Sequence, residues 1–193
     1  MILLRHGESE FNRHFSAEKR DPGIPDPALT PAGETQARAA AKALRGQGLR
    51  RILVSPYTRA LQTAALVAEA LRVPVAVQPL VRERAAFTCD IGTPASALAR
   101  RWPALDFRHL DEIWWPAAEE PVAEARARAL RFRREMAALP DWSATLVISH
   151  WGFILALTGQ QLANGAWLRH DPAAPLAAPS PEPAGFRPAA HPC

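Results

Sequence analysis

The chain has 193 residues, 48% of them hydrophobic and 22% charged, with a formal net charge of +4. These values fit one soluble globular domain with a single sizeable core. No apolar run reaches the roughly 18 residues of a membrane span, and no basic-then-apolar leader precedes the first apolar run, so a cytoplasmic protein without a membrane partner is expected.

The first strand is expected at Met1–Leu4, an apolar run of strand length followed at once by Arg5-His6-Gly7-Glu8. Thr30-Pro31 supplies an N-cap and a first-turn proline for a helix to about Leu44, stopped by Gly46 and Gly48. A second strand, Arg51–Val54, leads into Ser55-Pro56, read as the start of a helix through about Leu71. Pro74–Val77 is a third strand, and Thr93-Pro94 opens a short helix that Pro103 must end. A long Ala/Arg/Glu helix is expected over Val122–Ala138, a fourth strand over Thr145–Ile148 and an apolar helix from Trp151 to about Leu162. Ala166–Arg169 reads as a short edge strand. Residues 1–170 therefore form the expected domain, and the proline- and alanine-rich stretch 171–193 an expected disordered tail. Strands alternating with helices argue for an α/β fold with a largely parallel sheet, helices covering both faces.

Basic residues are almost all arginine and spread along the chain, with Lys19 and Lys42 the only lysines. The densest stretch, Arg126–Arg134, falls on an expected helix and reads as a solvated face, so no nucleic-acid partner is expected. Cys89 and Cys193, far apart in the chain, make neither a disulfide framework nor a zinc site. His6, Glu8 and His14 are ligand types, but Arg5 and Arg13 beside them would repel a cation, and no metal is expected. No heptad or exposed apolar stripe specifies an oligomeric state.

In an open parallel α/β sheet, residues just past the strand C-termini converge on one edge, where ligands bind. That rule gathers Arg5 and His6, then Arg59, then Glu83, then His150. A histidine beside fixed cations resists protonation and keeps a nucleophilic lone pair, which suits attack on phosphorus. Arginine forks match phosphate oxygens in a bidentate manner. His150 can donate to an equatorial oxygen, and Glu83 can protonate the leaving oxygen and later deprotonate water. Positioning and charge stabilisation suffice for phosphoryl transfer without a metal or cofactor.

Leu4-Arg5-His6-Gly7-Glu8-Ser9 with Asn12, Leu29-Thr30-Pro31-Ala32-Gly33, Ser55 through Ala64, and Ser149-His150-Trp151-Gly152 occur in that order. Together they resemble the signature of the histidine phosphatase, or phosphoglycerate mutase-like, superfamily over roughly Met1 to Gly159. The resemblance implies a three-layer α/β/α sandwich and a phosphohistidine formed on His6. It implies a phosphate pocket of Arg5, Arg59 and His150, with Asn12 as an added donor and no cofactor. Two positions depart from the pattern. The stretch after Glu83 lacks the usual glycine and glutamate, so Asp90 competes with Glu83 as general acid, and Trp151 replaces a small residue. Trp114-Trp115 is read either as a lid over the site or as a core or interface element, and Thr88–Pro121 as the region shaping substrate choice.

The expected activity is hydrolysis of a small phosphomonoester. Mutase-type transfer back to substrate is the first alternative, and a binding protein with little turnover on the same fold is the second.

Overall fold

Alternation along each strand decides which helices cover which face of the sheet. The structure, a computed structural model, describes residues 1–174. Strands β1 (Ile2–Arg5), β2 (Arg51–Val54), β3 (Val75–Val77), β4 (Thr145–Ser149) and β5 (Trp167–Arg169) form one sheet in the order β3-β2-β4-β1-β5. All neighbours run parallel except β5, which pairs antiparallel with β1. Successive side chains point to opposite faces. Ile2, Leu4, Leu146 and Ile148 thus join the core beneath helices α2 (Pro31–Ala43) and α3 (Thr58–Leu71). Leu3 and Val147 face the other way, into the core beneath α5 (Val122–Ala137) and α6 (Trp151–Thr158). Both faces are covered. The molecule is the expected three-layer α/β/α sandwich with a mostly parallel sheet.

Two further helices complete the described chain, α1 (Glu10–Glu18) and α4 (Ala95–Arg101). Helix α1 was not anticipated, although Ser9 and Asn12 form a capping box at its start. Helix α3 begins at Thr58 with Tyr57 as N-cap, later than the Ser55-Pro56 start, and the Ser55 hydroxyl pairs with His150. Helix α6 stops short of Leu162, where Gly159 enters the left-handed region at φ 74°. Arg128 departs from the expected solvated face: its side chain is buried against Glu120. Of the expected tail, Asp171–Ala174 form a turn and residues 175–193 lie outside the described residues. Among the described residues, no helix is long and apolar enough to cross a membrane.

The loop leaving β1 meets the start of α2 back to back. A Cβ on Gly33 would lie 2.0 Å from the Glu8 carbonyl oxygen, and one on Gly7 2.2 Å from the Gly33 carbonyl oxygen. Neither backbone can yield without displacing the segment that carries His6. Gly33→Ala is therefore expected to lower the unfolding free energy by about 2 kcal/mol, measured by urea denaturation. An unchanged midpoint would show that α2 shifts freely against this loop.

Candidate active site

Strands β1, β2 and β4 end side by side, with β4 between the other two, and their next residues share one edge. The backbone holds them in register: His6 N–H donates to the Ser149 carbonyl at 3.0 Å, and Ser55 N–H to that of Ile148 at 3.1 Å. The His6 and His150 rings consequently lie 5.0 Å apart, centroid to centroid. The sheet-edge rule places these groups together as expected.

His6 is 3% exposed, and its Nδ1 lies 2.6 Å from the Gly7 carbonyl oxygen. A carbonyl only accepts, so Nδ1 carries the proton and the neutral ring keeps its lone pair on Nε2. Burial, then the charges of Arg59 and Arg5, hold this imidazole well below its usual range, against the pull of the Gly7 bond. His150 is fully buried and bonded through Nε2 to the Ser55 hydroxyl at 2.7 Å. Burial and the Arg59 charge likewise keep it neutral. Ser55 is a site residue that the sequence reading missed. The helix start expected at Ser55-Pro56 masked its hydroxyl as the partner that orients His150.

Arg5 donates from Nη1 to the Leu162 carbonyl at 2.8 Å, and burial pushes its pKa down to about 10. Among the described residues, Arg5 Nε and His150 Nδ1 are buried and hydrogen-bond to no protein atom. Buried polar atoms are seldom left so, and two in one cationic site fit a ligand rich in acceptor oxygens. The carbonyl end of Asn12 is engaged within the loop. Its Oδ1 accepts from Ser9 N at 3.1 Å, Ser9 Oγ at 3.0 Å and Asn164 Nδ2 at 3.0 Å. It therefore braces the loop, together with Asn164, which also donates to the His6 carbonyl at 3.2 Å. Asn164 was invisible in the sequence, since it follows the last motif by a dozen residues in an irregular loop.

Arg59 is 3% exposed in the first turn of α3, where the helix dipole disfavours a cation. It donates to the Cys89 carbonyl at 2.8 Å and to Asp90 Oδ1 at 3.1 Å, and lies over the Tyr57 ring at 4.6 Å. The other oxygen of Asp90 accepts from the Ala86 and Phe87 N–H groups at 3.0 and 3.1 Å. Burial pushes the Asp90 carboxyl up to about 6 against the attraction of Arg59. Glu83 sits apart from this pair, at the start of α6. It accepts from Arg84 N at 2.9 Å and Phe153 N at 3.1 Å on Oε1, and from Gly152 N at 3.1 Å on Oε2. Gly152 is required for that approach: a Cβ there would lie 2.5 Å from Glu83 Oε1. The two carboxylates named in the sequence thus have different partners. Asp90 balances Arg59, and Glu83 caps the helix that His150 leads into.

Trp114 packs edge-on against Tyr57 at 4.7 Å and donates to the Thr93 carbonyl at 2.9 Å. Trp115 meets it edge-on at 5.4 Å, and Tyr57 in turn meets His150 at 5.3 Å. The tryptophans back the site through Tyr57. Phe11, Phe15 and Phe87 form a separate aromatic cluster joining α1 to the loop before Asp90.

The model of the histidine phosphatase superfamily, branch 1, matches residues 1–175. The chain belongs to that superfamily. It is 40% identical over 167 residues to a probable phosphoglycerate mutase GpmB of Enterobacter sp. (strain 638), covering 78% of this chain and 68% of that protein. A GpmB relative from Yersinia enterocolitica aligns over only 37% of its own length, at 37% identity and 43% of this chain. A glucosyl-3-phosphoglycerate phosphatase of Mycolicibacterium vanbaalenii is 29% identical over 177 residues, covering 84% of this chain and 73% of that one. Among solved structures, a mycobacterial glucosyl-3-phosphoglycerate phosphatase in complex with VO3 superposes with a TM-score of 0.61 at 25% identity, covering 86% of this chain and 88% of that chain.

The ionisations just described set the pH response of stability. His6 and His150 have depressed folded pKa values, so the unfolded chain binds more protons below about 6.5 and stability falls as pH falls. Asp90 has a raised folded pKa of about 6, so its contribution runs oppositely, with stability gained as pH falls from about 6 toward 4. Asp90→Asn removes that compensation. Its acid-side loss is expected to be steeper than the parent's by up to about 1.4 kcal/mol per pH unit, measured as urea unfolding free energies from pH 6.5 to 4.5. Equal slopes would place the Asp90 titration outside this range.

Proposed function

We propose that the chain is a phosphatase that hydrolyses a small phosphomonoester through a phosphohistidine on His6. The observation that carries this reading is the fixed tautomer of His6. Its Nδ1 proton is committed to Gly7, and Nε2 is left as a neutral nucleophile among Arg5, Arg59 and His150. The Nε2 lone pair attacks phosphorus, the bond to the leaving oxygen breaks, and Glu83 delivers a proton to that oxygen. Water then attacks the phosphohistidine as Glu83 takes its proton, and the N–P electron pair returns to Nε2. Glu83 Oε2 accepts a single hydrogen bond, while Oε1 accepts two, so Oε2 is the oxygen assigned the transferable proton. Arg5 Nε and His150 Nδ1 are assigned to the equatorial phosphate oxygens, and Arg59 supplies a buried charge beside them.

Asp90 is the weaker candidate for the acid because it is ion-paired with the buried Arg59, whereas Glu83 is held by backbone N–H groups. Asn12 is assigned a bracing role through Oδ1. Its Nδ2 is assigned as the added donor to the phosphate. A cytoplasmic setting belongs to the same proposal and accords with the free, buried thiol of Cys89.

Mutase-type transfer is the second reading, favoured by the GpmB relatives. It differs only in the acceptor: substrate hydroxyl in place of water. Release of inorganic phosphate in step with substrate loss supports the phosphatase; isomerised phosphoester without released phosphate supports the mutase.

Trapping with a labelled phosphoester is expected to give an acid-labile, alkali-stable phosphoenzyme that His6→Ala abolishes. Label persisting in that variant would remove His6 as the nucleophile, and no turnover above the His6→Ala background on a broad phosphoester panel would favour a binding protein. Glu83→Gln is expected to lower kcat/KM about 100-fold for glycerol 2-phosphate but less than about 3-fold for 2,4-dinitrophenyl phosphate, whose leaving group needs no proton. Asp90→Asn showing that discrimination instead would transfer the acid role to Asp90.

A further inference from the structure

The backbone carrying Glu83 is held from behind by a buried ion cluster that the reaction scheme does not use. Glu120 is 5% exposed, and both its oxygens are shared between two arginines. Arg82 donates to them at 2.9 Å from each terminal nitrogen; Arg128 donates from Nε at 2.9 Å and from Nη2 at 2.6 Å. The same guanidiniums collect the carbonyls around the carboxylate. Arg128 donates to those of Leu80 at 2.8 Å, Arg82 at 2.9 Å and Glu83 at 3.4 Å, and Arg82 donates to that of Glu83 at 3.0 Å. Glu120 N–H closes the set on the Ala85 carbonyl at 2.8 Å. Arg128 also lies over the ring of Phe153, at 5.7 Å, whose N–H holds the Glu83 carboxylate.

We propose that Glu120 is a positioning residue for Glu83, acting through Arg82 and Arg128. Two guanidiniums can converge on this loop only because one carboxylate sits between them. Without its charge they repel each other in a buried setting, and the carbonyls they hold are released. Proton transfer to a leaving oxygen tolerates little displacement of the donor, so loosening the loop acts selectively on the step that needs the proton. Glu120 also ends the segment that bears Trp114 and Trp115, which links that segment to the acid loop.

The inference rests on Glu83 being the general acid, and two substrates separate its failure from the failure of that reading. Glu120→Gln is expected to lower kcat/KM about 10-fold for glycerol 2-phosphate and less than about 3-fold for 2,4-dinitrophenyl phosphate. The double variant with Glu83→Gln is expected to lose nothing beyond Glu83→Gln alone, because the proton donor is already gone. A purely structural role would lower both substrates equally and add to Glu83→Gln; either result overturns the proposal. Should Glu120→Gln not fold, Arg128→Lys keeps the charge while giving up the fork, and the same discrimination is expected of it. If Glu83→Gln itself loses activity equally on both substrates, the acid reading falls and takes this inference with it. If Glu83→Gln discriminates and the Glu120 and Arg128 variants do not, only the inference falls.

Discussion

A guanidinium inside the protein, Arg59, is the constraint around which the rest of the site is arranged. Burial opposes its charge, yet the Cys89 and Asp90 environment outweighs that cost and raises its pKa. Burial, and after it this cation, depresses the pKa of both His6 and His150. A ring that stays neutral can attack phosphorus, whereas a protonated one cannot. The chain must in turn bring a carboxylate and a free carbonyl to Arg59, which explains the turn at Thr88–Asp90. Burial makes that carboxylate costly as well, so Asp90 is tied to two backbone N–H groups besides the arginine.

Carboxylates are thereby sorted by the backbone that receives them. Asp90 is drawn to the cation on α3, and Glu83 is drawn to the free N–H groups that open α6. Helix starts favour negative charge, so the second arrangement needs no side-chain cation. Gly152 permits it by leaving room for Glu83 where a side chain would collide. A carboxylate at this point sits beside the N-cap of α6, which is His150, the residue that follows β4. Charge balance and helix capping, two general physical demands, hold the two carboxylates on different supports.

Membership of the histidine phosphatase superfamily is consistent with this organisation, and the relatives include proteins named as mutases and as phosphatases. Under the proposed mechanism, the two activities differ in which acceptor takes the phosphoryl group. Here the region between Thr88 and Pro121 contributes Asp90, Trp114 and Glu120, which touch Arg59, Tyr57 and Arg82 in turn. Its residues back the histidines through Tyr57 and clamp the Glu83 loop through Arg82.

Strands, most helices and the convergence of Arg5, His6, Arg59, Glu83 and His150 on one edge were legible in the sequence. Strand-length apolar runs, helix-capping pairs and ordered motifs are local signals, and the sheet-edge rule turns them into proximity. Helix α1 is not legible in the sequence because its single buried residue, Phe11, leaves little periodicity behind the Ser9–Asn12 capping box. Only the folded chain could decide the partners. Asp90 faces Arg59, Ser55 orients His150, Asn164 braces Asn12, and Arg128 leaves its solvated face for Glu120. Each of these joins residues distant in sequence, and each is settled by competition among buried polar groups for a limited set of partners. Residue type and spacing determine which groups reach the edge; the requirement that every buried charge find a counterpart determines how they pair once there.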